Sequence, residues 1–374
     1  MDDLASVYEP FLSELDELRP DGAEVFDVHT HLGLDEDGRS LTPAELIKVL
    51  DEAGARRACV FPLHDPERHP AYRLPNDRVL AWAAESDGRF VPFCRLDPAD
   101  DPLREADRSL ANGARGIKLH PRAQTFGFED GAADGIFALA EEAKVPMLIH
   151  AGRGMPPIAE GLSDLAHRHP GVTMILAHLG VADQGVLASR LADHPGTLFD
   201  TSWFSAFDML GLMARVPPER IVFGSDPPYG RTVNGLYMTL RTARAAGYTE
   251  DDVRAVIGGT TAGLIDRGEL PAPTAPRGPS RISIEPRLAR LYQYGLMTWP
   301  AVMTGNTERA LEMIDLAIAV CRDPDPGPAG PALDRIAPAL EAAKRLIPDL
   351  DQARAANGLL FLAFNLAATE LLPD

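Results

Sequence analysis

The chain has 374 residues, 45% of them hydrophobic, enough for one large domain and a smaller one beside it. A formal net charge of -19 makes the average surface repel a phosphate backbone, which argues against a nucleic-acid partner. The acidic start Met1-Asp2-Asp3-Leu4 has neither a basic nor an apolar leader region, and the longest apolar run, 358–372, is short for a bilayer and carries Asn365 and Glu370, so neither secretion nor membrane insertion is expected.

Residues 1–21 form a polar lead-in with a short helical pattern at Leu12, Leu15 and Leu18. Over 22–270, short runs rich in Val, Ile, Leu and Phe alternate with stretches of helical period. Eight runs predict strands at 24–31, 58–62, 90–96, 116–120, 146–150, 173–178, 197–202 and 221–226. The intervening stretches predict helices at 42–53, 76–86, 101–111, 135–143, 158–168, 185–192 and 206–214, with another at 234–246 after the last strand. Thr42 with Glu45 three residues on is a capping box. Eight strand-helix units over about 250 residues predict an α/β fold, a (β/α)8 TIM barrel. The competing doubly wound sheet lacks a Gly-x-Gly-x-x-Gly at any helix start.

The segment 271–280, PAPTAPRGPS, holds four prolines and reads as a linker. Beyond it, 281–374 predicts a helical C-terminal appendage with helices at 286–296, 308–321, 332–346 and 351–371 and no histidine. Packing on the barrel or formation of a homo-oligomer accounts for it better than a second active site. Cys59, Cys94 and Cys321 are an odd number without metal-type spacing, as expected of reduced thiols in a cytoplasmic protein.

The ten histidines divide by position. His64, His69, His167, His169 and His194 sit in polar loops or at helix ends, where solvation explains them. His29, His31, His120, His150 and His178 all fall at the C-terminal ends of predicted strands, as does Asp226. In a (β/α)8 barrel those ends converge on one mouth, so groups far apart in sequence meet there. A regular strand over 25–31 would put Asp27, His29 and His31 on one face and Phe26, Val28 and Thr30 on the other. Imidazoles two residues apart, about 6 to 7 Å along the strand, can reach one cation, and a metal offsets their desolvation.

The segments VFDVHTHLG (25–33), GIKLHP (116–121), LIHAG (148–152), LAHLG (176–180) and FGSDPPYG (223–230) together resemble the amidohydrolase superfamily, specifically the amidohydrolase-related group that includes aminocarboxymuconate-semialdehyde-type and resorcylate-type decarboxylases. The resemblance spans 22 to about 268. It implies metal binding by His29, His31, His150 and Asp226, with His178 acting beside the metal. Such a ligand set suits one Zn2+, with Mn2+, Fe2+ or Co2+ as alternatives. The implied chemistry is attack of activated water on an amide, ester or lactone of a small carboxylated molecule, with Asp226 accepting the proton and His178 hydrogen-bonding the developing oxyanion. Decarboxylation of an aromatic or unsaturated acid would use the same parts, and a non-catalytic barrel serving as a scaffold is the reading from another class.

Lys118, two residues before His120, is either a second-metal ligand, as in binuclear members of the superfamily, or an inner-barrel lysine paired with Asp27 or Asp200; a single metal is expected. His120 is a candidate substrate contact or proton relay. Arg95, Arg122 and Arg153 flank the expected mouth and suit recognition of a carboxylate. Tyr229 and Trp203 follow the last two strands and could line an apolar pocket.

Overall fold

The computed structural model describes residues 2–129, 131–152, 154–278, 285–349 and 352–370. Eight parallel strands form its centre: β1 (Phe26–Leu34), β2 (Arg57–Pro62), β3 (Phe90–Pro92, resuming at Cys94–Arg95), β4 (Ile117–Leu119), β5 (Met147–Ile149), β6 (Met174–Leu176), β7 (Thr197–Asp200) and β8 (Ile221–Val222). β3 changes partner at its break. Its first part pairs with β2 and its second with β4, while the Phe93 amide still reaches Val60 O at 2.8 Å. The other edge is joined by Val28 N to Phe223 O at 2.9 Å and Asp226 N to His29 O at 2.7 Å. The sheet thus closes on itself, as the eight-unit period predicts.

Side chains from alternate positions fill the barrel: Phe26, Val28, Cys59, Phe61, Val91, Phe93, Leu148, Ile175, Leu198 and Val222 form one buried cluster. Gly116 belongs to this packing because a Cβ there would stand 2.6 Å from the Phe93 ring. A second, larger cluster lies between the strands and the surrounding helices. Those helices are α2 (Pro43–Glu52), α3 (Arg73–Ala84), α4 (Pro102–Ala111), α5 (Gly131–Ala143), α6 (Ala159–Arg168), α7 (Gln184–Arg190), α8 (Ala206–Met213), α9 (Thr232–Ala245) and α10 (Thr260–Arg267), and α1 (Asp2–Leu18) precedes them all. The Thr42/Glu45 capping box is present, with Pro43 at the first helical position. An unanticipated capping box, Ser205 with Asp208, starts α8.

One expectation about β1 is overturned. The β1–β2 register shifts between Asp27 and Thr30, an irregularity that breaks the period-two alternation. Phe26 and Val28 therefore line the interior, His29 follows them inward, and Asp27 turns away to accept from Ser225 N at 3.0 Å and from Ser225 Oγ. The lead-in is also longer than its pattern suggested, because α1 buries Phe11 and Leu15 against the rest of the protein.

Beyond the exposed, irregular 271–278, helices α11 (Pro286–Met303), α12 (Thr307–Cys321), α13 (Gly330–Leu346) and α14 (Ala353–Thr369) pack on one another, and α14 also packs on α8 and α9. The expected linker positions 279 and 280 lie outside the described residues. Cys59, Cys94 and Cys321 are free thiols. No helix among the described residues is long and apolar enough to cross a membrane.

Candidate metal centre

The C-terminal strand ends assemble one polar cluster in an otherwise apolar barrel. His29 Nε2 lies 3.2 Å and His31 Nε2 3.0 Å from the same oxygen, Asp226 Oδ1. All three residues are buried, and their ligand atoms fall within 4.8 Å of one another. On the far side of its ring, His29 Nδ1 meets Asp200 Oδ2 at 2.7 Å, so that nitrogen carries the hydrogen and Nε2 holds a lone pair facing an anion. A lone pair aimed at a carboxylate oxygen is repulsive unless a cation lies between, and histidine held by a carboxylate behind it is a recurring metal-ligand arrangement. His31 Nδ1 is buried without a hydrogen-bond partner among the described residues. The donor set, two imidazole Nε2 atoms and one carboxylate oxygen within 4.8 Å of one another, fits a divalent metal.

Electrostatics agree with this picture. Burial alone would raise the Asp226 carboxyl, but His29 and His31 hold it well below the usual carboxylate range. Burial likewise opposes ionisation of Asp200, yet His29 brings it down to about 2. Burial drives His31 down to about 3, leaving it neutral at pH 7. For His29, burial and Lys118 push downward, and the carboxylates of Asp200 and Asp226 outweigh them, so its pKa is raised.

His150 and His178 stand beside the three-residue group rather than inside it. His178 Nε2 lies 3.1 Å from His150 Nδ1, and His178 Nδ1 lies 2.9 Å from Ser202 Oγ. His150 Nε2 is buried and without a partner among the described residues. Gly152 makes room for this pair, since a Cβ there would come within 2.7 Å of His178. The ring of His120 stacks on that of His150 at 3.8 Å, and its Nδ1 accepts from Ala123 N at 3.3 Å, capping a short turn of helix. Burial holds His120 and His150 well below their ordinary value and His178 at about 4.

Two of these groups sit in strained backbone. His178 has φ 58° and Asp226 φ 61°, a region that side chains other than glycine rarely adopt. β6 ends at Leu176 and β8 at Val222, short of the predicted His178 and Asp226, although Phe223 O and Asp226 N still bond to β1.

Lys118 points inward, its Nζ 3.4 Å from His29 Nε2 and 4.7 Å from the centre of the Phe61 ring, and burial depresses it to about 7. It forms no ion pair with Asp27 or Asp200. Arg95 is 1% exposed and likewise has no carboxylate partner among the described residues. It donates to Pro62 O at 3.2 Å, lies over the Tyr72 ring, and leaves Nε unsatisfied. Tyr229 packs edge-on to His31, with its hydroxyl donating to Asp35 at 2.8 Å. Arg122 is exposed, and Arg153 lies outside the described residues. Trp203 packs on Trp299 and Phe361 of the C-terminal helices.

Sequence reasoning overlooked Asp200 and Ser202 as site residues. The available signal was a carboxylate ending the seventh run in the same way that Asp226 ends the eighth. It also took His194 as solvated, whereas that ring is buried against Thr197.

A closed ring of eight parallel strands with histidines and carboxylates gathered at its C-terminal rim defines a metal-dependent barrel enzyme. The chain belongs to the amidohydrolase family, whose model, described as Amidohydrolase, matches residues 26–266. Solved structures of similar fold include 5-carboxyvanillate decarboxylase LigW from Sphingomonas paucimobilis, at 16% identity and TM-score 0.52 over 66% of this chain and 99% of that one. The 2,6-dihydroxybenzoate decarboxylase from Rhizobium gives 16% identity and TM-score 0.51 over 66% and 99%. Metarhizium anisopliae IDCase gives 17% and 0.53 over 66% and 98%. At these identities the likeness is one of fold. No curated protein matches the sequence.

Proposed function

We propose that this member of the amidohydrolase family is a Zn2+-dependent hydrolase that opens an amide, ester or lactone in a small carboxylated molecule. The observation that carries the reading is the convergence of two imidazole Nε2 atoms on one carboxylate oxygen, His29 at 3.2 Å and His31 at 3.0 Å from Asp226 Oδ1. His29, His31 and Asp226 would hold the ion, and the buried, unpartnered Nε2 of His150 is a candidate further donor. Imidazole and carboxylate favour Zn2+ over Ca2+ or Mg2+, with Mn2+, Fe2+ and Co2+ as competitors. When bound, such an ion supplies Lewis acidity, bringing the pKa of a water from about 15.7 towards 7.

The remaining work falls to the chain's own groups. Asp226, ionised at neutral pH, accepts the proton of the attacking water and returns it to the leaving group. His178 is held beside the reacting centre as a hydrogen-bonding partner for developing charge. Lys118 and Arg95, two buried cations without an ion-pair partner among the described residues, set a positive potential that favours a substrate carboxylate. Three free cysteines, Cys59 and Cys94 buried and Cys321 partly so, accord with a cytoplasmic setting.

Decarboxylation of an aromatic or unsaturated acid is the second reading. Lys118 favours it, because an unpaired buried amine close to His29 is a proton donor for the carbon that loses CO2. Elemental analysis of the purified protein, run with parallel screens of lactones and of dihydroxybenzoate-type acids, tests both. Lactone opening supports the hydrolase, release of CO2 or bicarbonate supports the decarboxylase, and a metal-free protein inert after reconstitution with each of the four ions refutes both.

A further inference from the structure

Two hydrogen-bonded paths run through the histidines of this centre, and both begin at the same buried carboxylate. We infer that Asp200 is a positioning residue that fixes the tautomers of His29, directly, and of His150, through Ser202 and His178, so that each neutral ring carries its hydrogen on Nδ1 and leaves Nε2 unprotonated. The consequence for metal binding rests on the reading proposed above; the hydrogen-bond assignment does not.

The direct path is one bond long. Asp200 Oδ2 only accepts, so the hydrogen in its 2.7 Å contact belongs to His29 Nδ1, and in the neutral ring His29 Nε2 is bare. The second path starts at Asp200 Oδ1, which accepts from His178 N at 3.0 Å, from Ser202 N at 2.9 Å and from Ser202 Oγ. A hydroxyl has one hydrogen. With that hydrogen given to Asp200, Ser202 Oγ can only accept from His178 Nδ1 at 2.9 Å. His178 Nε2 is therefore bare where it faces His150 Nδ1 at 3.1 Å, and one hydrogen must lie between them. It belongs to His150, whose Nε2 is left buried, without hydrogen and without a partner among the described residues. A buried acceptor left without a donor is costly in a finished protein and useful as an electron-pair donor to a cation. The backbone is strained to build this path, with His178 at φ 58° and Trp203, next to Ser202, at φ 48°.

The test reads tautomers in metal-free protein. Nitrogen-15 NMR of histidine-labelled, chelator-treated wild type should show His29, His178 and His150 all protonated at Nδ1, the less stable form of a free ring. Ser202→Ala removes the hydroxyl of the second path; the Ser202 carbonyl, 3.4 Å from His178 Nδ1, stays as a longer acceptor, and His29 loses its 3.3 Å contact with that hydroxyl but keeps Asp200 at 2.7 Å. His178 and His150 should relax to a mixture of tautomers while His29 keeps its Nδ1 hydrogen, and Zn2+ affinity measured by chelator competition should fall about 10- to 100-fold. Wild-type His150 protonated at Nε2, or a Ser202→Ala spectrum in which His29 loses its Nδ1 hydrogen together with the other two, overturns the inference. Wild type that takes up no divalent cation refutes the metal-centre reading instead, and the spectra still decide the role of Asp200.

Discussion

Two histidines that share one carboxylate oxygen place opposite demands on the site. Neutral His29, protonated at Nδ1, aims a lone pair at Asp226, while neutral His31 can donate from Nε2 to the same oxygen; as cations both would be desolvated in the barrel, where His31 is driven down to about 3. A bound cation meets both demands, which makes the residues separable by metal content. Asp226→Ala and His31→Ala should lose both bound metal and activity, whereas His178→Ala should lose activity and still take up metal, with an affinity lowered about 10- to 100-fold as in Ser202→Ala; elemental analysis beside turnover checks this, and equal metal loss in all three would refute the division of roles. Arg95 makes a second prediction, since its buried guanidinium has no carboxylate partner among the described residues. Arg95→Gln should raise KM for a carboxylated substrate by about tenfold or more, ~1.4 kcal/mol, while a neutral ester of the same molecule is affected little. The histidines and Asp226 were legible in the sequence because imidazoles at strand ends are conspicuous. Asp200 and Ser202 were not, because an Asp and a Ser after a strand are ordinary turn residues until their partners, His29 and His178, are seen in space.

At the scale of elements, the eight strand-helix units could be read from hydrophobic period alone, and their ends could not. The predicted runs continue in sequence through His178 and Asp226, whereas the regular strands end at Leu176 and Val222 and the backbone is left-handed at both site residues, and nothing in a hydrophobic pattern encodes φ. The β1 irregularity escaped for the same reason: alternation presumes an even pleat, and the register shift between Asp27 and Thr30 reverses it. α1 is the element most understated by its sequence. Its Glu14 is bound by Arg241 of α9, Arg335 of α13 and the Tyr237 hydroxyl, the last at 2.6 Å, so one carboxylate joins the chain's start, its barrel and its tail. Burial would raise the Glu14 carboxyl, but Arg241, Tyr237 and Arg335 overcome it and hold the pKa below its ordinary value. A depressed carboxyl stabilises the folded state above the unfolded pKa, about 4.3, and that contribution is lost as pH falls through the lower folded value. Glu14→Gln should therefore cost about 2 kcal/mol at pH 7, by taking the carboxylate from Arg335 while Arg241 keeps Glu370 at 2.7 Å, and should flatten the acid side of the stability profile. Urea midpoints at neutral and acidic pH measure both effects. An unchanged acid slope would mean that Glu14 does not report the docking of α1.

For the molecule as a whole, the question is whether the C-terminal helices form a separable appendage or part of one folding unit. Their contacts with the barrel lie close to the centre. Asn365 Oδ1 accepts from Ala206 N at 2.8 Å at the start of α8, and Trp299 and Phe361 pack on Trp203, next in sequence to Ser202. The backbone that carries the Asp200 network therefore leans on the tail, and the buried apolar cluster outside the barrel runs without interruption through Phe11, Leu236, Ile336 and Leu360. A core shared in this way unfolds cooperatively. Calorimetry of the full chain should show one transition in which barrel and tail melt together. Zn2+ at a hundred times its Kd should move that whole transition upward by the equivalent of about 2.7 kcal/mol, because an ion bound only to the folded state stabilises everything coupled to it. Ending the chain at residue 284 should expose the surface around Trp203 and lower the midpoint or abolish the transition. A two-step melt with only the first step sensitive to Zn2+, together with a truncated chain that keeps the full metal response, would show the helices to be an independent unit and the support of Ser202 by the tail to be without effect.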